Sequence, residues 1–171
     1  MTYSGPPNPK LLFIGEAWGY DEAAVRKPLV GVSGQEHWKL LGEALPQVRP
    51  DLHSHAASLF RYGREWIHYR SEWMEEASVG FTNVLNERPP NNNLDQFCAP
   101  KIEVGKEYPY PALIRAKYLK PEHFHHLERL HQEVRSLRPN VCVLLGNTAC
   151  WALLGTIGIT SIRGTTVWSD K

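Results

Sequence analysis

Apolar residues in this chain follow two kinds of pattern. Unbroken or nearly unbroken runs occur at Leu11-Leu12-Phe13-Ile14, at Val79-Gly80-Phe81-Thr82-Asn83-Val84-Leu85 and at Val141-Cys142-Val143-Leu144-Leu145. Such runs predict strands covered on both faces, because a strand with one wet face alternates apolar and polar positions instead. Helical spacing marks other segments. Trp38, Leu41 and Leu45 predict a helix opened at Ser33-Gly34-Gln35-Glu36 and ended by Pro46. Phe124, Leu127, Leu130, Val134 and Leu137 form one apolar face of a second helix, running from Pro121 to Pro139. Gly146-Asn147-Thr148 turns the last run into a short helix, Ala149 to Leu154, closed by Gly155.

Between these elements the pattern is weaker. A polar loop is predicted after the first strand. Residues 54 to 74 are aromatic and basic, which suits a helical region over the sheet. Residues 94 to 119 hold Pro100, Pro109 and Pro111 and read as an irregular excursion. Strands alternating with helices predict the α/β class: a three-layer α/β/α arrangement with a short central parallel sheet and ligands at the carboxyl ends of its strands.

Composition narrows the classes. A length of 171 residues fits one domain, 1–171, and the 42% hydrophobic content belongs to a folded chain. No window reaches the apolar length of a membrane span, so no membrane partner is expected. Met1 to Lys10 has no apolar leader, which makes the cytoplasm the expected location. Cys98, Cys142 and Cys150 cannot all pair and make no C-x-x-C unit, so reduced thiols are expected. The net charge of +1 does not mark a dedicated duplex binder. Locally, Lys101 to Arg138 holds eight Lys/Arg against five Asp/Glu, with His123, His125, His126 and His131 among them. That stripe reads equally as a backbone-tracking surface or as an ordinary solvated helix face.

The predicted strand ends place polar residues together. They present Glu16 with Asp21 and Glu22, then Asn83 with Arg88, then Asn147 with Thr148. Taken alone, Glu16 is a solvated loop carboxylate, Asn83 a sheet-end hydrogen bonder, and Asp21 and Glu22 suit a helix N-terminus. His123, His125 and His126 read as helix-surface histidines rather than ligands, because no second cluster at ligand spacing accompanies them, so no metal is expected. Gly146-Asn147-Thr148 lacks the Lys-Ser/Thr of a phosphate loop and reads as helix capping.

Read together, the blocks are more specific. Gly15-Glu16-Ala17-Trp18-Gly19-Tyr20-Asp21-Glu22, Pro28-Leu29-Val30-Gly31-Val32-Ser33-Gly34, Thr82-Asn83-Val84 with Arg88-Pro89-Pro90, and Arg138-Pro139-Asn140-Val141 with Leu144-Leu145-Gly146 and Arg163-Gly164 occur in this order over nearly the whole chain. In these motifs the sequence resembles the uracil-DNA glycosylase superfamily, in particular family 4 and phage-encoded relatives. The resemblance implies a uracil-DNA glycosylase-like fold and hydrolysis of the N-glycosyl bond of uracil or a related modified pyrimidine in DNA, presented single-stranded or as a flipped base.

It also implies roles for residues. Glu16, with Glu22, takes the catalytic position: a carboxylate beside the anomeric carbon stabilises an oxocarbenium-like sugar and orients or deprotonates a water. Asn83 reads the pyrimidine edge, where an unpaired donor penalises the wrong base. Gly15 and Gly19 let the backbone approach the flipped nucleotide, and Ala17, Trp18, Leu29, Arg88 and Asn147 complete the expected binding set.

The chain departs from the family pattern in three places. Family 4 holds an iron-sulfur cluster on four cysteines. This chain has none before its first strand, and Glu87 stands where a cluster cysteine precedes Arg-Pro-Pro, so no cofactor is expected. Leu29 replaces the aromatic that stacks on uracil. The His-Pro-Ser/Ala turn that stabilises the departing base has no counterpart in Thr165 to Lys171, and the expected domain lacks the family's C-terminal strand and helix. The leading expectation is a DNA glycosylase; the rival is a catalytically impaired glycosylase-fold protein that binds nucleic acid or a protein partner. A nucleotide-binding α/β enzyme unrelated to repair is a third class.

Overall fold

The run at Leu11–Ile14 becomes the start of the central strand, β1 (Leu11–Ala17), because both of its faces are covered. Leu12 and Ile14 pack into one core with Leu127, Leu130, Ala149 and Leu153, while Phe13 packs into the other with Trp38, Trp73 and Phe81. Successive side chains of a strand point to opposite faces, so a run apolar at every position is stable only between two layers. The structure, a computed structural model, describes residues 3–52, 66–105 and 107–168.

In chain order, β1 is followed by α1 (Tyr20–Val25), α2 (Val32–Val48), α3 (Trp66–Ala77), β2 (Val79–Leu85), the short strands β3 (Cys98–Pro100) and β4 (Lys117–Leu119), α4 (Phe124–Leu137), β5 (Val141–Leu144) and α5 (Asn147–Leu154). The main sheet is parallel in the order β2-β1-β5. Leu11 lies opposite both Val79 and Val141, so all three strands start level and their carboxyl ends open on the same side. Residues of α2 and α3 supply one core and residues of α4 and α5 the other, which makes the three-layer α/β/α arrangement expected from the sequence.

β2 lies at an edge of this sheet, yet every one of its residues is buried. Ser4 pairs antiparallel with Phe81 through two hydrogen bonds of 2.9 and 2.8 Å. From α4, the Arg129 guanidinium donates to the carbonyls of Asn83 and Val84 at 2.5 and 2.9 Å. Both contacts cover strand backbone that would otherwise invite another chain.

Several expectations need correction. The polar loop after β1 contains α1, whose start is held by the Glu22 carboxylate accepting the Gly19 amide at 3.1 Å. Pro46 does not end α2, which continues to Val48. A proline near the last turn removes one hydrogen bond, and the helix still closes with Arg49 N–H on the Leu45 carbonyl at 2.7 Å. The excursion at 94–119 contains the antiparallel β3-β4 pair, too short for periodicity to reveal. Of the aromatic, basic stretch at 54–74, residues 54–65 lie outside the described residues, and α3 begins at Trp66.

Candidate functional site

The carboxyl ends of β1, β2 and β5 open into a cleft of about 750 Å³. Gly15, Glu16, Ala17, Trp18 and Gly19 come from the end of β1, Asn83 and Arg88 from β2 and the loop after it, and Leu145 and Gly146 from the end of β5. Leu29, Glu22 and His37 close the side formed by α1 and α2. Parallel strands that start in register necessarily deliver their end residues to one place, which is how segments distant in sequence share a wall.

Glu16 is exposed to the cleft, and its Oε2 accepts the Thr148 hydroxyl at 2.5 Å. Thr148 is buried in the first turn of α5, so the carboxylate faces a helix N-terminus, where negative charge is favoured. With one oxygen held in this way, the other can orient a water.

Asn83 is only 2% exposed, and its amide lies directly against Gly15. A Cβ at Gly15 would collide with Asn83 Oδ1, so this glycine is required for a close approach rather than for chain flexibility. Behind Asn83, Arg129 donates to the Asn83 carbonyl, to Thr82 Oγ1 at 3.1 Å and to Glu133 Oε2 at 2.7 Å. Thr82 also donates to Glu133 at 2.6 Å. Burial lowers the Arg129 pKa from its ordinary value, opposed by Glu133.

Glu22, expected beside Glu16 as a catalytic carboxylate, has a different surrounding. It is 8% exposed; its Oε1 accepts the amides of Val30 and Gly31 at 3.1 and 2.8 Å, and its Oε2 that of Gly19. A carboxylate committed to three backbone donors is a clamp, and this one ties the Gly15–Gly19 loop to the Pro28–Gly34 segment. The same segment carries local strain: Leu29 has φ 53°, in the left-handed region. Its carbonyl rests against Gly34 of α2, where any side chain would collide.

The other expected residues separate. Arg88 is exposed at the rim, with its guanidinium 5.3 Å from the centre of the Tyr20 ring. Trp18 lines the cleft, with its indole nitrogen buried and unpartnered among the described residues. Asn147 is not part of the lining; its Oδ1 accepts the amides of Gly158 and Ile159 at 3.0 and 2.9 Å, which orders the following turn instead of a ligand. His37 was missed by sequence reasoning although it lines the cleft, with Nδ1 2.6 Å from the Ser33 carbonyl. Its only signal is the i, i+4 spacing from Ser33 at the front of α2. The charged lining is Glu16, Asp21 and Glu22 against Arg88, an acidic balance suited to a cationic transition state.

The histidines expected on a helix surface are in part buried: His123 is 9% exposed and His126 7%, while His125 is exposed. Burial pushes the pKa values of both His123 and His126 down, opposed by Glu87. The family model described as Uracil DNA glycosylase superfamily matches residues 2–169 of this chain. No curated protein matches it.

Proposed function

Because this chain belongs to the uracil DNA glycosylase superfamily, we propose that it is a DNA N-glycosylase that excises uracil or a related modified pyrimidine, with a water attacking the anomeric carbon beside Glu16. The observation that carries this reading is the Glu16 carboxylate, held by Thr148 in a cleft that the Asn83 amide also lines. As the N-glycosyl bond breaks, its electrons leave with the base and positive charge grows on the sugar. Glu16 stabilises that charge, orients the water through its remaining oxygen and takes the proton the water loses. Asn83 donates to one edge atom of the base and accepts from another, so a base with the reversed pattern leaves buried groups unpaired. The base must leave the stack to reach this position, and Arg88 at the rim is placed to meet a backbone phosphate.

Single-turnover cleavage of a uracil-containing oligonucleotide tests the reading. Glu16→Gln should lower the rate by about a hundred- to ten-thousandfold at unchanged melting temperature; full activity in that variant would remove Glu16 from the mechanism. The second reading is a protein that binds DNA without excising the base. Leu29 favours it, since an aliphatic side chain lines the cleft where an aromatic would stack on the base, a contact worth about 1–3 kcal/mol. Salt-dependent binding to single strands without release of base, in the wild-type protein, would identify that case.

A further inference from the structure

Glu87 follows β2 and directly precedes Arg88 of the cleft rim, and its backbone carbonyl accepts the Trp18 amide at 3.3 Å. Its carboxylate points away from the cleft lining, toward the start of α4. There His126 Nε2 lies 3.4 Å and His123 Nδ1 3.5 Å from the same oxygen, Oε2. The three candidate ligand atoms all lie within 4.8 Å of one another.

These separations are long for N–H···O hydrogen bonds, which cluster at about 2.7–3.2 Å. They match the edge of a coordination tetrahedron, since ligands bound to zinc at about 2.0–2.1 Å sit about 3.3 Å apart. The donor set, two imidazoles and a carboxylate, suits zinc better than magnesium or calcium, which prefer all-oxygen shells. We propose that Glu87, His123 and His126 form a binding site for one divalent cation of the zinc type, with a fourth position left to water.

The arrangement supplies both burial and access. The two imidazoles are buried, whereas the Glu87 side chain is about half exposed, at 49%, and leaves an open approach for the ion. None of the three residues lines the cleft, so the ion has a positioning role: it pins the loop carrying Arg88, and the carbonyl that holds Trp18, to α4. The site does not depend on the glycosylase reading, because its ligands are separate from Glu16 and Asn83.

Calorimetric titration of the chelator-stripped full chain with zinc chloride tests the proposal, supported by the visible spectrum after titration with cobalt. One ion per chain and the intense bands of tetrahedral cobalt are expected. Glu87→Gln, a half-exposed and isosteric change, should weaken zinc binding by about tenfold or more. His125→Ala, which alters the exposed neighbour, should bind as the wild type does. Absence of stoichiometric binding, wild-type affinity in Glu87→Gln, or loss in His125→Ala alone would overturn the site. His126→Ala removes a buried ring and can fail to fold, so the decision rests on Glu87→Gln.

Discussion

The Thr148 hydroxyl donates a 2.5 Å hydrogen bond to Glu16 Oε2, joining residues 132 positions apart. The α5 N-terminus and the end of β1 thus meet at the carboxylate to which the proposed mechanism assigns the water. Thr148→Val keeps the shape of this buried side chain and removes the donor. A hydrogen bond to a charged group is worth about 1.5–3 kcal/mol, so excision should slow by about ten- to a hundredfold. Thr148→Ser, which retains the hydroxyl, should recover most of that rate in single-turnover assays; equal loss in both variants would reduce Thr148 to a packing residue.

Glu22 separates clamp from catalyst. Glu22→Gln places an amide where three backbone N–H groups converge, leaving at least one without an acceptor, at a cost of about 1–3 kcal/mol. The melting temperature should fall by several degrees. A catalytic Glu22 would instead lose the rate while keeping its melting temperature, so a thermal scan beside the excision assay distinguishes the two.

Arg129 and Glu133 act as a partly buried pair beneath Asn83. Arg129→Met leaves Glu133 and two strand carbonyls without the guanidinium; breaking a fully buried pair typically costs about 3–5 kcal/mol, and this partly buried one should cost less. Adding Glu133→Leu removes the carboxylate that has lost its cation and should restore part of the loss. Urea denaturation of both single variants and the double variant measures the coupling, and strict additivity would show that the pair is not a unit.

The cysteines should be slow to react. Burial, assisted by Asp95, pushes the Cys98 thiol up to about 11, and burial also raises Cys142 and Cys150. The thiolate is the reactive form, so at pH 8 little of it is present, and reactivity should climb as pH rises toward that value. Labelling with a chromogenic disulfide should be slow in the native protein and should reach three thiols at once in urea. Prompt reaction of a thiol in the native state would contradict this burial.

The strands at Leu11 and Val79 were legible in the sequence because a continuous apolar run settles between two helical layers; the run at Val141 also forms a strand, but at the sheet edge, where its residues are exposed or half-buried rather than covered on both faces. The Gly15–Gly19 block, Asn83 and Arg88 were legible because each belongs to a short ordered motif at a strand end. What each polar group touches was decided by tertiary structure alone. Glu22 carries a carboxylate like Glu16, yet the amides of Val30 and Gly31 fold back onto it and make it a clamp. Asn147 sits beside Thr148, but its amide turns to Gly158. Glu87 meets His126 across 39 residues, and spacing within one helix could not show that the third donor comes from the loop after β2. Periodicity reports which face of an element is apolar; a polar side chain's partner depends on where the chain returns, and only the folded packing sets that.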